Sequence, residues 1–121
     1  MADDHDRRVE ALLRLISLQY ALLVQVCRRL PIPVLLPGDV NTPTALDAVW
    51  RAAELSGQQS LPLEQQRQLN LACSLWVVAA DMHGLLSIDY KPWRVTAMVR
   101  TLNDGSSALT KLSNWLDQQR D

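Results

Sequence analysis

The hydrophobic positions of this chain fall into helical rows almost from its start. Val9, Leu13, Ile16, Tyr20, Leu23, Cys27 and Leu30 recur at alternating steps of four and three, which places them on one face of a helix. Leu12, Leu15, Leu22 and Val26 form a second line beside the first, interrupted by Gln19, and Leu18 and Val24 lie off both. A helix with one wet face needs a single apolar stripe. The second line therefore predicts that part of this helix meets another chain.

Proline and glycine divide the remainder. Pro43, Pro62 and Pro92 each open a helical pattern, and Gly57, Gly84 and Gly105 each follow the end of one. Proline in a first turn costs little, because that N–H is unpaired anyway, and glycine past a helix end supplies a left-handed closure. The pattern predicts five helices, over 5–30, 43–56, 61–83, 92–103 and 106–119. Pro31 and Pro33 stop the first. Residues 31–42 then read as a proline-rich extended strap whose apolar members, Ile32, Val34, Leu35, Leu36 and Val40, should lie on the protein. Thr42 and Ser60 are the expected caps of the second and third helices, and Asp89 an upstream cap of the fourth.

The second helix carries one stripe, Leu46, Val49, Trp50 and Ala53. The third is polar over 64–68, hence wet, and apolar on most sides from Leu69 to Met82, the pattern of a central, surrounded helix. Residues 85–90 fit neither helix nor strand uniquely. Asp104 and Gly105 read as a turn. Leu109, Leu112, Trp115 and Leu116 line the last helix. The expected fold is all-α: one bundle-like domain over 1–121, with a flexible acidic start at 1–4. The first and third helices form its long pair, with three shorter ones around them.

Composition narrows the function classes. The chain has 121 residues, 48% of them hydrophobic, so a packed core is within reach and disorder is not expected. A net charge of −1 gives nucleic acid or an anionic membrane nothing to hold. Lys91, Arg94 and Arg100 make only a thin basic patch, read as a solvated face. Phenylalanine is absent, and Trp50, Trp76, Trp93 and Trp115 fall one to each of the last four predicted helices. About three should be core and one at an interface. Cys27 and Cys73 sit in apolar runs, where cysteine acts as a small hydrophobe, and a reducing cytoplasm is the expected location. Residues 1–6 lack the form of a signal peptide, and the apolar run 71–80 is too short to span a bilayer.

No residue pattern names a reaction. His5, within Asp3-Asp4-His5-Asp6, reads as a solvated helix start rather than a metal site. His83, beside Gly84, reads as a helix-end interaction without nucleophile or base partners. Cys73 has apolar neighbours, and Ser74 lacks a Gly-x-Ser-x-Gly frame. No glycine-rich phosphate loop and no Cys-x-x-Cys occurs. No catalytic, cofactor-binding or metal residue is therefore expected, and no cofactor. The chain reads as a non-enzymatic protein–protein interaction module: a homodimeric regulatory protein of antiactivator, adaptor or chaperone type, whose partners are itself and another protein. The expected contact residues are Leu12, Leu15, Leu22 and Val26 on the first helix, with Val34, Leu35 and Leu36 on the strap. A competing reading has the later helices shelter the whole first helix within a monomer. Another class is a small all-helical enzyme or anionic-ligand binder using arginines such as Arg14 and Arg67.

Overall fold

The computed structural model of the chain describes residues 3–38, 40 and 43–119. Among them the fold is all-helical: α1 (Asp3–Arg28), α2 (Pro43–Glu54), a 3-10 turn (Ser56–Gln58), α3 (Leu63–Ile88) and α4 (Pro92–Gln118). α3 is central and touches each of the other three helices. Trp76, fully buried at its middle, donates its indole N–H to the Ile16 carbonyl of α1 at 3.0 Å. Two turns nearer the end of α3, His83 Nε2–H donates to the Val9 carbonyl at 3.0 Å. These two contacts run α1 and α3 in opposite directions. α1 and α4 run the same way: Arg8 bonds Tyr90 just ahead of α4, and Arg29 reaches Ser113 and Asp117 near its end. The core is built from Ile16, Tyr20, Leu23 and Cys27 of α1, Val49 of α2, Leu69, Trp76 and Leu86 of α3, and Met98, Leu109 and Leu112 of α4.

The long-pair prediction holds in that α1 and α3 are long, but α4 joins them. The expected break at Asp104 and Gly105 does not occur, so among the described residues there are four α-helices and not five. Glycine inside a helix costs roughly 1 kcal/mol relative to alanine. Close packing offsets that here: a Cβ on Gly105 would lie 2.8 Å from Gln19 Nε2 and 3.4 Å from Leu75 Cβ. α3 likewise passes through Gly84 to Ile88, which makes 85–88 helical and delivers Leu86 to the core. No glycine among the described residues has positive φ, so the expected left-handed closures are absent. Ser60 does not cap α3; Pro62 precedes its first residue without a side-chain cap bond.

The 64–68 stretch is not wet all round. Gln65 and Gln68 are buried, and Gln66 Nε2 donates to the Gln59 carbonyl at 3.0 Å, closing the connection from α2. Asn70 Nδ2 donates to the Ala53 carbonyl at 3.0 Å, satisfying one of the orphan acceptors at the end of α2. Residues 29–38 form no regular element. The Gln59 side-chain amide fastens them by accepting from Ile32 N–H at 3.1 Å and donating to the Ile32 carbonyl at 2.8 Å. The Tyr20 hydroxyl donates to the Pro37 carbonyl. Val34, Leu36 and Val40 pack against the core. The expected cap Thr42 lies outside the described residues.

Candidate interaction surface

Leu15, Leu18 and Leu22 stand in a row on α1, spaced three and four residues apart. They are 49%, 62% and 43% exposed. Their row lies beside the inward seam of Ile16, Tyr20, Leu23 and Cys27, all of which the later helices cover. Leu22 also lines a groove of about 120 Å³ between α1 and α4, with Gln25, Arg29, Ser106, Thr110 and Asn114 as its polar rim.

The seven expected contact residues do not form one surface. Leu12 and Val26 face the core at 4% and 3% exposure and serve the chain's own packing. Val34 and Leu36 are half-buried against that core. Leu35 is largely exposed but belongs to a different site, a cleft of about 330 Å³ shared with Ala48, Arg51, Ala52 and Leu55 around α2. Leu15 and Leu22 remain, joined by Leu18. At 3.6 residues per turn, Leu18 shares their side of the helix.

A second exposed row was not anticipated. Leu71, Val78 and Leu85 of α3 are 49%, 44% and 48% exposed, with Leu75 and Met82 half-buried between them. The spacing of four, three, four and three is a heptad seam. The signal was present in the sequence, but a helix ending at His83 severs Leu85 from the row. An apolar count on all sides also hides a stripe. The tryptophans divide differently from expectation too. Trp76 is buried, Trp115 packs partly against the core, and Trp50 and Trp93 are 49% and 65% exposed.

The titratable side chains serve the fold. His83 is in mid-helix, bonded to α1, and not at a helix end. His5 stacks on Tyr90 with ring centroids 3.8 Å apart, and the Tyr90 hydroxyl, accepting from Arg8, raises the guanidinium pKa above its usual value. Asp89 pairs with Arg94 at 3.1 Å and Lys91 at 3.8 Å across the turn into α4. Arg14 pairs with Glu10 on its own helix at 3.8 Å, and its side chain is 79% exposed. Arg67 lies on α3, in an open cleft with Leu63, Gln66 and Asn70. The two arginines do not converge. Cys27 and Cys73 are free and fully buried. Interaction with the Cys27 thiol, followed by burial, holds the Cys73 thiol well above its usual pKa. No group of three metal-ligating side chains occurs among the described residues.

α1 and α3 are each long and apolar enough to cross a membrane by length and composition, a test that core helices also pass. The short run 71–80 thus belongs to a 26-residue helix, which removes its length as an argument against spanning. No protein-family model, curated protein or solved structure matches the chain.

Proposed function

We propose that this protein is a helical interaction module, without catalytic activity of its own, that self-associates and binds another protein through α1. It would act as a regulatory protein of the antiactivator, adaptor or chaperone kind, in a cytoplasmic setting. One observation carries the reading: the aligned, half-exposed row Leu15, Leu18 and Leu22 beside a fully covered seam on the same helix. An amphipathic helix of a partner fits such a row, anchoring at the same three- and four-residue spacing. Burying the remaining surface of a half-exposed leucine contributes about 1 kcal/mol. Three leucines are too few to offset the several kcal/mol that association costs. The partner must therefore also engage the polar rim at Gln25, Ser106, Thr110 and Asn114.

Affinity capture from the native cell tests this. The wild-type chain should retain a protein in stoichiometric amount. Leu15→Arg/Leu22→Arg should lose it while keeping the wild-type circular dichroism, and Lys111→Glu should keep it. Equal retention by the double variant, or no retained protein with wild type, overturns the reading.

A further inference from the structure

A cavity of about 230 Å³ lies where α1, α2 and α3 meet. Leu13 and Ile16 of α1, Leu46 of α2, and Ala80, His83 and Gly84 of α3 line it. Among its described lining residues only His83 has a polar side chain. Gly84 is exposed, and an added Cβ there would meet nothing within 4 Å, so solvent reaches the cavity past a bare backbone. Leu13 and Leu22 are nine residues apart, which sets them half a turn from each other around α1. The cavity therefore lies on the side of α1 away from the leucine row.

We propose that this cavity binds a small, neutral aromatic molecule of two fused rings that carries one N–H or O–H donor. Its size sets the first part. An apolar cavity of about 150 Å³ takes up benzene, and this one is about half as large again. A single ring would leave some lining atoms without contacts, whereas two fused rings of about nine or ten non-hydrogen atoms match the larger space. His83 sets the second part. Its Nε2–H donates to the Val9 carbonyl, which places the proton of the neutral ring on Nε2 and leaves a lone pair on Nδ1. Nδ1 has no hydrogen-bond partner among the described residues and is not sealed from solvent, so a donor on the ligand can reach it. No described lysine or arginine lines the cavity, so a carboxylate buried there would lack a counter-charge. The site goes beyond the interaction-module reading and leaves Leu15, Leu18 and Leu22 free for a protein partner.

Indole is the probe, titrated into the ¹⁵N-labelled chain and followed by amide NMR. The amides of Leu13, Ala80 and His83 should shift with one dissociation constant between about 10 µM and 1 mM, within reach of a molecule of this size. Benzofuran keeps the shape of indole but has no N–H. It should bind about five-fold or more weakly, because it leaves Nδ1 unpaired. Ala80→Leu and Gly84→Leu each add a side chain to the lining and should each weaken indole binding about ten-fold or more. Leu35→Ala, in the separate cleft beside α2, should leave it unchanged. Circular dichroism confirms that each variant is folded, and Gly84→Leu keeps the test open should Ala80→Leu not fold. No shift at saturating indole overturns the proposal. So does binding that both leucine variants leave intact, or that Leu35→Ala removes. Benzofuran binding as tightly as indole overturns the part given to His83 and with it the ligand class.

Discussion

Two glycines sit inside helices here for opposite reasons, and the difference is measurable. Around Gly84 nothing lies within 4 Å of an added Cβ, so its lack of a side chain serves no contact. Gly84→Ala should stabilise the fold by about 0.5–1 kcal/mol, the helix-propensity difference. For a domain of this size that is a rise of up to roughly 4 °C in Tm. At Gly105 the same space is filled by Gln19, Leu75 and the Ala72 carbonyl. Gly105→Val should cost about 2 kcal/mol, because a branched side chain there must push the Gln19 amide aside and crowd Leu75 and the Ala72 carbonyl. Thermal melts of the two variants should therefore move in opposite directions. A neutral Gly105→Val would mean that the Gln19 amide yields the space freely and that Leu75 and Ala72 do not crowd it. Gln19 is informative in the same way. Its Nε2 is buried without a hydrogen-bond partner, a cost tolerated where three helices converge.

Whether α4 is one helix or two is the element-scale question on which local signals and packing disagree. Asp104-Gly105 is a turn dipeptide by composition, yet both residues are helical. Asp104→Pro separates the cases. In a turn it would be tolerated. Inside the continuous helix it removes a backbone hydrogen bond and drives its ring against the Arg100 carbonyl, so it should lower stability by about 3 kcal/mol in a denaturant titration. Other elements were legible because a single physical cause set them. Pro43 and Pro92 begin helices, Pro31 and Pro33 follow one, and the seam from Ile16 to Leu30 is core. Helix ends marked by glycine were misread because the rule assumes an exposed terminus. At Gly105 close packing outweighed it, and at Gly84 the helix must continue to bury Leu86. The 64–68 stretch misled for a related reason: glutamine looks wet in a count, but Gln65 and Gln68 are buried and the Gln66 amide closes the connection from α2.

At the scale of the whole molecule, the excess apolar perimeter of α1 could be read from the sequence, but its position could not. Which line is covered depends on where α3 and α4 dock. That geometry buries Leu12 and Val26 and leaves Leu18 outside. The α3 seam was still harder to see, because a central helix in a small bundle has three neighbours and an open fourth side. Two open rows on one chain make folding and association inseparable if copies pair through α3. Each tenfold rise in concentration then adds about 1.4 kcal/mol to the dimer relative to two unfolded chains. Unfolding two chains of 121 residues releases roughly 0.5 kcal/mol/K of entropy. The melting temperature should therefore climb about 3 °C per tenfold in protein concentration, as read by scanning calorimetry. Val78→Arg puts a charge in the exposed row of α3 and should flatten that dependence, while leaving the helical signal intact because Val78 is 44% exposed. A wild-type melting temperature that does not move with concentration would show that α3 keeps its open side in water. The exposed leucines of α1 would then carry the association reading by themselves.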